Sequence, residues 1–142
     1  MKRQIRLGFY GTRGGVGVST TALKVAQLIA ARGLRVALFD ATGRGDLHIM
    51  LGAAEALPDM PLIKDNLCVF IGQPKEEAVN GYEAIVIDGG RQERAFNTPW
   101  IRLERLPSDQ AVARWAAVEE AASRGLSFSL PHLPQMSIEV TA

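Results

Sequence analysis

Three observations predict an α/β fold, a mainly parallel sheet flanked by helices. Apolar strand-like segments alternate with segments of helical period. The segment LRVALFD (34–40) is apolar almost throughout, as a strand covered on both faces must be. The segments at 5–10, 34–40 and 82–90 each run into a glycine-containing loop, and parallel crossovers bring such loops to one edge of a sheet, where ligands bind.

IRLGFY (5–10) is apolar and aromatic and ends at glycines, the pattern of a first strand. From Ser19 to Arg32 the period becomes helical. Ala22, Leu23, Val25, Ala26, Leu28, Ile29 and Ala30 form a wide apolar face, opposite Lys24, Gln27 and Arg32, and Gly33 is placed to stop the helix. The second strand, 34–40, follows, then a loop ATGRG (41–45) and a short helix over 46–56. LPDMPLIKDN carries two prolines and reads as a connection. NLCVFIG (66–72) predicts a third strand, KEEAVNG a short helix, YEAIVIDGG (82–90) a fourth strand and TPWIRLERL (98–106) a fifth. SDQAVARWAAVEEAASRG (108–125) predicts a helix capped by Ser108, with Asp109 at its positive end, Gly125 at its stop, and Val112, Trp115, Ala116 and Val118 on its buried side. LSFSL reads as an edge strand. Residues 1–130 thus form one domain and 131–142, with two prolines, a flexible tail.

The composition narrows the function classes. A chain of 142 residues, 47% hydrophobic and 22% charged, fits one globular domain with a true core. A net charge of +1 without a basic run gives no support to nucleic-acid binding by bulk charge. Cys68 lies in the apolar run LCVFIG, the place of a buried thiol in a reducing compartment. No signal peptide and no apolar run near the ~20 residues of a membrane span is present, so the expected location is cytoplasmic. His48 and His132 have no ligand cluster around them, and His48 is expected on a helix surface. GRGD (43–46) reads as a turn with a helix cap, and Trp100 and Trp115 as core residues or partner anchors.

The stretch GTRGGVGVST (11–20) sets the main functional question. Strand, glycine-rich turn and helix N-terminus together form an anion pocket, because Gly11, Gly14, Gly15 and Gly17 allow backbone angles that aim N–H groups inward. A phosphate loop adds a lysine, then a hydroxyl for magnesium; here the hydroxyls are present at Ser19 and Thr20, but Val18 holds the lysine position.

GTRGGVGVSTTALKVAQLIAARGLRVALFDA resembles the deviant-Walker P-loop superfamily of ParA, MinD, Mrp and the nitrogenase iron proteins, and the likeness resumes at YEAIVID. It covers about the first ninety residues well and the remainder only as a βα pattern. The resemblance implies a P-loop NTPase-like, three-layer core. It sets Arg13 at the family's early signature lysine, Val18 at its second lysine, Ser19 at its magnesium hydroxyl, Asp40 at an acidic residue ending the second strand and Asp88 at the Walker B aspartate. Arg13, Gly14, Gly15, Val16, Gly17, Val18, Ser19, Thr20, Asp40 and Asp88 are therefore the candidate nucleotide-binding residues, with Ser19 and Asp88 as magnesium ligands if nucleotide binds.

The departures fall on the chemistry. Val18 brings no charge to the phosphates, and Arg13 is not an equivalent replacement for lysine. Thr42 stands where the family has an aspartate that positions the attacking water. Losing one charge-stabilising donor costs roughly a hundredfold to a thousandfold in rate, so no catalytic residue is assigned and a pseudo-ATPase is expected. Two states of the pocket stay open: weak binding of ATP or ADP with magnesium, or a fold remnant with no nucleotide. The chain end LSFSLPHLPQMSIEVTA has no lysine or arginine, so the basic amphipathic helix of the family's membrane-bound members is not expected. The first functional reading is a noncatalytic module that acts through a protein partner or a homodimer, accessory to a bacterial partitioning, conjugation, secretion or cellulose-synthesis apparatus. The alternatives are a divergent active ATPase that uses Arg13, and a nucleic-acid-binding regulator that uses Arg91, Arg94, Arg102 and Arg105.

Overall fold

The computed structural model describes residues 4–12, 17–53 and 61–103, with the backbone of 127–129 and 137–139. Strand β1 (Ile5–Tyr10) leads to helix α1 (Val18–Ala30), strand β2 (Val36–Asp40) and a one-turn helix α2 (Asp46–Met50). Strands β3 (Leu62–Lys64) and β4 (Leu67–Ile71) precede a single 3-10 turn (Glu76–Ala78), then β5 (Ala84–Asp88) and β6 (Trp100–Arg102). The six strands form one sheet in the order β3-β4-β2-β5-β1-β6, parallel throughout except for β3. Strands β7 (Ser127–Ser129) and β8 (Ser137–Glu139) pair antiparallel in a separate two-stranded sheet. The predicted helix at 108–125, with Trp115, lies outside the described residues.

The mainly parallel α/β sheet agrees with the sequence reading, and its details differ where local chemistry overrides period. The expected connection 57–66 contains a strand: Asp65, left-handed at φ 54, and Asn66 form a two-residue turn that folds Leu62–Lys64 back on β4. The helix expected over KEEAVNG shrinks to one 3-10 turn. Helix α2 ends at Met50, and Leu51–Gly52 turns away with Gly52 left-handed at φ 91.

Pleat alternation divides the core. One face of the sheet turns Leu7, Phe9, Val36, Leu38, Val69 and Val86 toward Ala22, Val25, Ala26 and Ile29 of α1. The alanines at 22 and 26 are fully buried and short enough to let the helix backbone approach the strands. The other face gathers Ala37, Phe39, Ile85 and Ile87 with Val79, and Phe70, Tyr82, Phe96 and Trp100 close over it. Among the described residues, Phe70 of β4, Trp100 of β6 and the loop residues Tyr82 and Phe96 supply that cover, and no α-helix does. All five residues of β5 are buried because it is central and covered on both faces, and each Ile or Val there contributes about 1.5–3 kcal/mol of burial. Among the described residues no helix is long and apolar enough to cross a membrane.

Candidate functional site at the carboxyl edge

Parallel pairing in register sets the carboxyl ends of the central strands side by side, with Asp88 opposite Phe9 on one side and Asp40 on the other. Backbone bonds extend the alignment into the loops. Gly89 N–H donates to Phe9 O at 2.8 Å, Gly11 N–H to Gly90 O at 2.9 Å and Ala41 N–H to Asp88 O at 3.0 Å. The three loops foreseen at one edge therefore begin there side by side.

Helix α1 starts at this edge. Gly17 forms its N-cap at φ 85, a left-handed angle that a side chain would strain, and no side chain caps the helix. Its first internal bond runs from Thr21 N–H to Gly17 O at 2.9 Å. The N–H groups before it have no acceptor within the helix, so the terminus keeps its partial positive charge. One turn of helix brings the Ser19 hydroxyl over β5, where it donates to Asp88 Oδ2 at 2.6 Å. Gly90 N–H donates to Asp88 Oδ1 at 3.0 Å. Burial pushes the Asp88 carboxyl above the ordinary carboxylate range; the Ser19 and Gly90 donors oppose the shift, the charge of Asp40 adds to it, and Arg44 opposes it.

Asp40 is fully buried and faces its own loop. Its Oδ1 accepts from Thr42 N–H at 3.2 Å and from the Thr42 hydroxyl, and its Oδ2 accepts Gly45 N–H at 2.9 Å. The Thr42 hydroxyl also accepts Arg44 N–H at 3.2 Å. These bonds make the loop 41–45 a closed Asx-type turn, with Gly43 and Gly45 left-handed, that leads into α2. Arg44 extends outward to pair with Asp46 at 3.3 Å.

The sequence-named residues separate into groups. Ser19 and Asp88 meet directly, and Gly17 shapes the entry to α1. Asp40 shares the edge, but its carboxylate holds backbone. Val18 is half-buried and packs its branched side chain against the α1 core, and Thr20 is exposed. Arg13, Gly14, Gly15 and Val16 lie outside the described residues, as does Arg105. Of the other arginines, Arg91 is exposed, Arg102 lies on β6, and Arg94 donates its Nε to Gly89 O at 2.9 Å. His48 requires a correction. It is buried at 3% exposure, because the single turn of α2 points Leu47 and His48 inward and leaves Ile49 and Met50 outside. No group of three or more His, Cys, Asp or Glu gathers as a metal set among the described residues.

The sequence reading missed two features. Trp100 lies flat against β1 and β5: a Cβ on Gly8 would meet its ring at 2.5 Å, and one on Gly89 at 2.8 Å. Gly90, at φ 71, fits against Thr42, whose Cγ2 would lie 2.6 Å from an added Cβ. Gly8 inside the first strand and the GGR run at 89–91 are the local signs of such close approach. No family model matches the chain, and no curated protein matches it at a significant level.

Proposed function

We propose that the chain is a noncatalytic ParA/MinD-like module, a pseudo-ATPase that acts through protein contacts as an accessory or regulatory component of a bacterial partitioning, conjugation, secretion or cellulose-synthesis apparatus. The observation that carries this reading is the state of Thr42. At the position where the resemblance calls for a water-positioning carboxylate, the side chain is a threonine whose hydroxyl donates to Asp40 and accepts Arg44 N–H. Neither bond leaves a base for an attacking water. Val18 adds to the case, since its side chain packs on the core where a lysine stem would have to run. Phosphoryl transfer depends on positioning and charge neutralisation, and both are weakened.

A second reading, that nucleotide still binds without turnover, is favoured by the Ser19–Asp88 pair. A hydroxyl in the first turn of a helix and a carboxylate at the end of the adjoining strand fit a magnesium–phosphate group in donor chemistry. Binding would engage Ser19 and Asp88 through the ion and the first-turn N–H groups of α1 through the phosphates. The nucleic-acid reading has less support, because Arg94 is tied to Gly89 O.

Calorimetric titration with ATP and magnesium, followed by a phosphate-release assay, tests both readings. The expected result is weak or undetectable binding and no turnover. Val18→Lys is expected to raise nucleotide affinity. Steady turnover that Arg13→Ala abolishes would overturn the pseudoenzyme reading.

A further inference from the structure

We propose that Thr42, Gly90 and Arg94 interlock the loop after β2 with the loop after β5, so that the two loops open and close as one unit. The inference goes beyond the proposed function and stands on loop contacts alone, so it holds whether or not the chain binds nucleotide.

Thr42 uses both branches of its side chain. Its hydroxyl donates to Asp40 Oδ1 and accepts Arg44 N–H, which fixes the rotamer. The methyl carbon, Cγ2, then faces Gly90, at 2.6 Å from where a Cβ would stand. Gly90 is held by three groups. Its N–H donates to Asp88 Oδ1 at 3.0 Å, its carbonyl accepts Gly11 N–H at 2.9 Å, and Arg94 Nη2 lies 3.5 Å from the same Cβ position. Arg94 ties its own loop back to the strand end through Nε–H to Gly89 O at 2.9 Å. Gly90 is thus packed against a methyl group anchored in one loop and beside a guanidinium anchored in the other. Close-packed contacts of this kind have discrete arrangements and do not deform continuously, so displacing either loop disturbs the seat of the other.

The arrangement needs threonine. Serine keeps the hydroxyl and loses the methyl, and valine keeps the methyl and loses the hydroxyl. A binding event that reorders 89–94 is therefore transmitted to 41–45, and the coupling works equally in reverse.

Hydrogen exchange read amide by amide tests the interlock in the full chain. Arg94→Ala cuts a tether that belongs to the second loop only. The expected result is faster exchange at Gly89–Arg94 and also at Thr42, Arg44 and Gly45, by about fivefold or more. Thr42→Ser removes only a methyl from the first loop and is expected to accelerate Gly11 and Gly90. Leu38 and Val86 amides in the core serve as the reference, and loop acceleration must exceed theirs. If Arg94→Ala accelerates its own loop and leaves 42–45 unchanged, or if neither loop responds, the interlock is wrong. Unchanged exchange at Gly11 and Gly90 in Thr42→Ser would also overturn it.

Discussion

Asp88 concentrates the electrostatics of the candidate site in one side chain. Burial raises its carboxyl, and the neighbouring Asp40 raises it further against the pull of Ser19, Gly90 and Arg44. The folded chain therefore holds the Asp88 proton more tightly than the unfolded chain does. The stability this group contributes is fully present below the ordinary carboxylate range and is lost as pH rises through the raised value. Asp88→Asn removes that loss, and its amide N–H can donate to the Ser19 oxygen, reversing the native bond, while its oxygen accepts Gly90 N–H. The variant is expected to melt above wild type at pH 7, with the gap closing as the buffer is acidified; equal melting curves at pH 7 would contradict this. Thr42 yields a prediction of opposite sign. Thr42→Val deprives Asp40 of one donor and Arg44 N–H of its acceptor, and is expected to lower stability by about 1–3 kcal/mol in a urea titration. Asp40 and Asp88 were both legible in the sequence as strand-end carboxylates. The resemblance already paired Asp88 with Ser19 as magnesium ligands, whereas the hold of Asp40 on its own loop was not legible, because that partner is set by packing and not by spacing.

At the scale of elements, α1 and the central strands follow from local pattern. Helical period over 18–30, left-handed Gly33 after the helix and unbroken apolar runs in β2 and β5 leave few alternatives. Strand β3 was missed because the prolines around it read as loop, whereas the turn at Asp65–Asn66 and pairing with β4 decided the matter. His48 was misplaced because five helical residues give too little period to identify a buried side. Two glycines separate steric from conformational constraint. Gly8→Ala would drive a methyl into the Trp100 ring, and about 1–3 kcal/mol of destabilisation is expected. Trp100→Leu should recover part of it in a double-mutant cycle. Among the described residues Gly17→Ala meets nothing closer than Thr21 Oγ1 at 3.9 Å, so its expected cost, about 1–2 kcal/mol, is backbone strain, and substitutions at Thr21 should not relieve it. Denaturation midpoints of these variants decide between the two accounts.

At the scale of the whole molecule, a ligand at the carboxyl edge would bridge the N-terminus of α1 and the ends of β1, β2 and β5, elements that together hold the larger core cluster. Binding there must therefore appear as global stabilisation, about 2.7 kcal/mol at a hundredfold excess over Kd. A thermal-shift series with magnesium and ATP is expected to move the wild-type transition little and that of Val18→Lys more. A large wild-type shift that Ser19→Ala removes would establish the second reading, nucleotide binding without turnover, over an empty pocket. By itself the sequence determined the alternation of strands and helix, the glycine-rich entry to α1 and the absence of the expected lysine and aspartate, because each is a matter of residue type and period along the chain. Only the tertiary structure decided that the Ser19 hydroxyl donates directly to Asp88, that Thr42 bonds Asp40 and seats Gly90, and that Val18 joins the core. Those outcomes depend on strand order and register, which bring Ser19 and Asp88 together across 69 positions, and no local pattern encodes them.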